Sequence, residues 1–179
     1  MKYAYALALT VSLAAVGACS NDNSPSTPSP STPSGNGTQT YTATLRPSEE
    51  VPPVTGGEAA GGGTVTITFN VVKDGSGNVT SATASFAANL SGFPAGTPIN
   101  MAHIHQAAAG QNGNVVVSTT VAPGEVMLNN GSGSFTRSGV TVPPDIATQL
   151  MNNPAGFYFN VHSTLNPSGA ARGQLVRFQ

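Results

Sequence analysis

Beyond about residue 40, apolar and polar positions alternate along much of the chain. In TYTATLR, Tyr41, Ala43 and Leu45 share one phase; in GTVTITFNVV, Val65, Ile67, Phe69 and Val71 share one, with Thr64, Thr66, Thr68 and Asn70 on the other. A period of two places alternate side chains on opposite faces, so these segments read as half-buried antiparallel strands. The turn cluster DGSGN at 74–78 joins the second of them to a weaker strand over VTSATASFAA as a hairpin. Further strands are expected at 100–106 and over NVVVSTTV, GSGSFTRS, GFYFNVHS and GQLVRF. About eight short strands between turns rich in Gly and Pro predict an all-β fold, an antiparallel Greek-key sandwich or barrel.

One segment departs from this period. VPPDIATQLMNNP has Pro at the first turn, Asp145 early, Ile146 and Leu150 four apart, and Pro154 as a stop. These are the marks of a single short helix, here expected to cap one end of the sheets.

Composition agrees with a turn-rich β protein, since only 7% of the 179 residues are charged while Gly (21) and Pro (14) are abundant. The formal net charge is −1, and Arg46, Lys73, Arg137, Arg172 and Arg177 are scattered singly. No phosphate-tracking surface follows from that distribution, so nucleic acid is not expected as a partner. Glu49, Glu58, Asp74, Glu125 and Asp145 fall mainly in expected loops or turns, without acid/base pairing or calcium-loop spacing, and read as solvated charges; Glu50 is set apart below.

The first residues, MKYAYALALTVSLAAVGAC, combine a basic start, an apolar run from about Ala4 to Val16, and small residues before the only cysteine. This is the architecture of an export signal, too short for a permanent membrane span. AVGAC resembles the bacterial lipobox, whose Cys is acylated and becomes the mature N-terminus. A lone Cys in an exported chain has no disulfide partner, and acylation of Cys19 accounts for it. The stretch from Ser20 to about Thr40, made mostly of Ser, Pro, Thr and Asn, lacks the apolar residues needed to offset ordering of its backbone. The expected organisation is a signal peptide over 1–18, a tether over 19–39 and one β domain over 40–179. The protein is then expected to be exported and anchored to a bacterial membrane at the cell envelope through Cys19.

All three histidines of the chain lie on polar phases. His103 and His105 are two apart in NMAHIHQ, so on a strand they share a face with Met101, at roughly 6.5 Å per two residues. In FYFNVHS, Phe157, Phe159 and Val161 form the core phase, leaving Tyr158, Asn160 and His162 on the other. If the two strands are neighbours, His103, His105 and His162 converge as a cluster on an outer face. Three neutral imidazoles suit copper or zinc, and Met101 would add a soft thioether favouring copper. The alternative is that the histidines only hold loops over the sheet. No catalytic residue is assigned: the one Cys belongs to the signal region, and neither a nucleophile elbow nor a phosphate-binding glycine loop is present.

LRPSEEVPPV at 45–54, AHIHQAAAGQNGNVVV at 102–117 and GFYFNVHSTLNPSGAARGQL at 156–175 together resemble the CHRD domain family, named from chordin and widespread in bacterial exported proteins. The resemblance singles out Glu50, Pro52, Pro53, His103, His105, Asn160, His162, Asn166, Pro167, Gly169, Arg172 and Gly173. Where that family commonly has an acidic residue this chain has Ala170, which removes a carboxylate that would pair Arg172 or orient a histidine. The resemblance implies a binding module at the cell envelope. Two alternatives stand beside it: a structural or adhesion module with purely structural histidines, and a copper-dependent oxidoreductase. The H-x-H strand is similar to the copper-binding strand of copper/zinc superoxide dismutase, but three histidines cannot build that enzyme's complete site.

Overall fold

The computed structural model describes residues 36–178, so the signal segment, Cys19 and most of the expected tether lie outside the described residues. Ten strands form two antiparallel sheets. The first contains β1 (Gly37–Leu45), β2 (Gly62–Lys73), β3 (Val79–Ser91), β7 (Gly133–Val142) and β10 (Val176–Arg177), in the order β10-β1-β2-β3-β7. The second runs β5-β4-β8-β9 over β5 (Asn114–Ser118), β4 (Thr97–Gln106), β8 (Phe157–Ser163) and β9 (Ala171–Gln174), with β6 (Val126–Leu128) pairing with β4. Two separate sheets make this a sandwich rather than a barrel. The expected all-β class holds, with ten strands where the pattern indicated about eight.

The inner faces are the apolar phases read from the chain. Tyr41, Leu45, Ile67, Phe69 and Phe86 of the first sheet share one core with Ile99, Ile104, Phe157, Phe159 and Val161 of the second. Phe86 and Phe159 meet across the layers with ring centroids 5.9 Å apart. Burial of such side chains contributes on the order of 1.5–3 kcal/mol each, which makes this layer the main source of stability. The hairpin between β2 and β3 turns at Asp74, whose Oδ1 accepts from the backbone N–H groups of Ser76 and Asn78 at 2.9 Å.

The helix α1 (Pro144–Asn152) begins with Pro at its first position and places Ala147 and Leu150 in the core. Ile146, expected on the apolar stripe, is only partly buried at its edge. On the second sheet, β4 pairs with β8 so that Met101 faces His162, His103 faces Asn160 and His105 faces Tyr158. Asn160 in turn faces Arg172 on β9. One outward row of polar side chains therefore crosses three strands.

Candidate metal centre

That outward row is largely covered, with His103 half-buried and Met101 exposed at its rim. All seven positions of β8 are buried, where a strand with one solvated face would alternate. The cover comes from three connections: residues 46–61 between β1 and β2, residues 107–113 between β4 and β5, and residues 164–170 between β8 and β9. The first two are tied to the sheet and to each other. Arg172 Nε donates to the Glu49 carbonyl at 2.5 Å and Arg172 Nη1 to Asn112 Oδ1 at 2.9 Å, while Asn112 Nδ2 donates to the Val51 carbonyl at 2.9 Å.

Beneath this cover the three histidines converge. Ring centroids are 5.1 Å apart for His103 and His162, 5.7 Å for His103 and His105, and 5.9 Å for His105 and His162. One ring nitrogen from each lies within 4.8 Å of the others. Closing the widest pair by about 1.5 Å, shared between two side chains, brings it to the spacing of tetrahedral ligands about 2.0–2.1 Å from one ion. The cluster is made by β4 and β8 alone, as the phase of the two segments requires once they are neighbours.

Two of the rings are aimed by backbone carbonyls. His105 Nδ1 lies 3.0 Å from the Gly113 carbonyl and His162 Nδ1 lies 3.0 Å from the Pro167 carbonyl. A carbonyl only accepts, so in the neutral rings these nitrogens carry the proton and Nε2 keeps its lone pair. His105 Nε2, His162 Nε2 and His103 Nδ1 are all buried with no partner in the protein. Leaving a buried polar atom unpaired costs about 1–3 kcal/mol, so three together in one place call for an occupant.

The electrostatics keep the rings neutral. Burial pushes the His103 imidazole down to about 4, with His162 and His105 adding to the effect as neighbouring cations. Burial likewise lowers His105 and His162, against the opposing pull of their carbonyl bonds. Behind the cluster, His105 stacks on Tyr158 with centroids 4.8 Å apart and planes within 4°, and the Arg172 guanidinium lies 4.6 Å over the same ring. The Tyr158 hydroxyl accepts from the Gly113 N–H at 3.3 Å, so the residue whose carbonyl aims His105 is also held through its N–H.

The remaining residues singled out by the resemblance surround this site. Glu50 is buried, and burial raises its carboxyl to about 7 against the smaller lowering effects of Arg172 and Asn160. Gly169 adopts φ +148°, and a Cβ there would stand 2.5 Å from Glu50 Oε2 and 2.8 Å from Asn160 Nδ2. At Gly173 a Cβ would meet the Thr44 carbonyl at 2.1 Å, where β9 passes β1. Pro52, Pro53, Asn166 and Pro167 line a groove of about 360 Å³ between the two covering segments, with Glu50 and Gly169 in its wall.

Two sequence expectations need correction. Glu58 is not a solvated loop charge: it is 1% exposed, and its Oε2 accepts from Ser163 Oγ and Asn166 Nδ2, both at 2.6 Å. It pins the β1–β2 connection to the end of β8. Nor does the carboxylate missing at Ala170 leave the histidines unsupported. Ala170 is wholly buried, and the carbonyls of Gly113 and Pro167 do the aiming. Sequence reasoning passed over Tyr158 as a stacking platform, together with Asn112 and Gly113; the Asn-Gly pair in QNGN was the one available sign of a tight loop there.

Fold and site together define a small antiparallel β-sandwich domain with a covered three-imidazole cluster on one outer face. The chain belongs to the CHRD domain family, whose sequence model matches residues 41–175, that is, nearly the whole described domain. No match is found among curated proteins or solved structures.

Proposed function

We propose that this CHRD domain is a transition-metal-binding module of the cell envelope, holding copper or zinc through His103, His105 and His162. The observation that carries the reading is the set of three buried ring nitrogens without protein partners, two of them opposite an Nδ1 bound by a backbone carbonyl. Histidines serving only to hold loops would spend both nitrogens on hydrogen bonds. A carbonyl behind each ligating imidazole is the usual device for fixing tautomer and direction at a metal site.

Titrating the metal-free protein with Zn(II) or Cu(II) in a calorimeter tests this directly. One tight equivalent is expected, and it should vanish in His162→Ala. Purely structural histidines would give no saturable heat, and His162→Ala would then change only the unfolding temperature.

The envelope location rests on the signal-like first residues and Cys19. Acylation there would put a tether of about twenty residues rich in Ser, Pro and Thr between membrane and domain, a composition that stays extended and solvated. The expected outcome is that the full chain sediments with membranes in a bacterial host and that Cys19→Ser releases it. An oxidoreductase of dismutase type would use the same cluster with an open coordination position. Superoxide consumption by the copper-loaded protein tests that alternative, and its absence leaves a binding module.

A further inference from the structure

Resting on the metal-binding reading of this cluster, we infer that its resident ion is monovalent copper, with the Met101 thioether capping three imidazoles at the solvent rim. The donor set argues for a single positive charge. The ligating group contains imidazoles alone, with no carboxylate or thiolate to neutralise a cation. The desolvation penalty of an ion rises as the square of its charge, so a divalent ion costs about four times as much to bury as a monovalent one. Three neutral imidazoles can hold either ion, but they leave the whole charge of a divalent ion unneutralised, twice that of a monovalent one.

A buried cation beside the cluster adds to the case for the smaller charge. Arg172 is 2% exposed and lies over the Tyr158 ring on which His105 stacks. An ion of charge +1 meets half the repulsion that an ion of charge +2 would meet at the same point.

Met101 supplies the chemical preference. It precedes His103 by two residues on β4 and is the direct cross-strand partner of His162 on β8. Facing residues of an antiparallel pair have Cβ atoms about 4.5–5.5 Å apart, within reach of a side chain with three rotatable bonds. Met101 is also 38% exposed, a large apolar side chain left at the water edge of a site in which His103 is half-buried and His105 and His162 are buried. Soft thioethers suit Cu(I).

The test uses the full chain and its Met101→Leu variant under anaerobic, reducing conditions, with a Cu(I)-specific chromophoric chelator as competitor and a separate zinc dye for Zn(II). Cu(I) is expected to bind in one equivalent and more tightly than Zn(II). Met101→Leu should weaken Cu(I) by roughly tenfold or more, the scale on which losing a partner of a metal site is felt. The same substitution should leave Zn(II) affinity and the metal-free unfolding temperature unchanged. X-ray absorption at the copper edge should show a sulfur scatterer in the wild type and none in the variant. Unchanged Cu(I) affinity in Met101→Leu, or Zn(II) held more tightly than Cu(I), overturns this inference and leaves the metal-binding reading standing. Failure of every metal to bind overturns both.

Discussion

The two sheets each turn one face to the core and one away from it, and the outward faces meet opposite fates. On the first sheet, Thr38, Thr40, Thr42 and Thr44 of β1 face Asn70, Thr68, Thr66 and Thr64 of β2 in register, exposed or half-exposed and without a single charge. Water satisfies these hydroxyls, so each position asks only for a small residue that suits a strand. On the second sheet the same alternation yields His103, His105, Tyr158, Asn160, His162 and Arg172, most of them buried under three loops. A covered polar face must be satisfied atom by atom, and the atoms left over point to what is absent from the protein itself. An open polar face tolerates much; a covered one is specific.

The largest contrast should come from metal content. Replacing His103 and His162 together by Ala is expected to remove the bound equivalent entirely, while Thr66→Val with Thr68→Val on the open face leaves it intact; calorimetric titration of both double variants checks this. Next in size is the contrast between two arginines. Arg172→Ala withdraws a buried guanidinium from the Glu49 carbonyl and Asn112 and leaves those acceptors unpaired under the cover, so a loss of about 2–3 kcal/mol is expected by denaturant unfolding. Arg177→Ala, at the edge of the open sheet, gives up exposed bonds to Gln39 and the Met151 carbonyl and should cost no more than about 1 kcal/mol. Equal losses would contradict the distinction between the faces.

Glycines offer a smaller and cleaner contrast. Gly169→Ala pushes a methyl group into Glu50 and Asn160 and should cost about 1–3 kcal/mol. Gly75→Ala, at a hairpin tip with nothing near its Cβ position, should stay within about 0.5 kcal/mol.

Smallest is a pH effect from Glu50. Its folded value of about 7 exceeds the ordinary 4.5, so between those pH values the folded protein holds a proton that the unfolded chain releases. The resulting stability is full below about pH 4.5 and is lost as pH rises through about 7. Glu50→Gln cannot ionise, so its stability relative to the wild type should be higher at pH 8 than at pH 5; the same difference at both values would contradict a buried, neutral Glu50. The histidines run the other way. Because burial lowers all three, His103 to about 4, protons should displace metal only at a lower pH than they would from ordinary imidazoles, which a pH series of metal retention checks.

The sandwich was legible because one phase of each long strand is apolar: Val65, Ile67 and Phe69 on β2, or Phe157, Phe159 and Val161 on β8, admit only one inward face. α1 was legible from its prolines and spacing. β6 was not, because three residues, Val126 to Leu128, are too short to show a period. The convergence of the histidines followed from phase once β4 and β8 paired, but pairing between segments some sixty residues apart is set by the whole topology and not by either strand. Of the cover, the Asn-Gly pair in QNGN was the one local trace. Nothing in the residues near Glu58 indicates that its carboxylate meets Ser163 and Asn166, more than a hundred positions away. Nor does anything near Gly113 show that its carbonyl meets a ring eight residues earlier.

Elemental analysis of the purified full chain, set beside His103→Ala/His162→Ala prepared in the same way, tests the central claim most directly. The covered face predicts close to one transition-metal ion per wild-type chain and none in the double variant. A wild type that retains no metal after exposure to copper and zinc, or a variant that retains as much as the wild type, would contradict it.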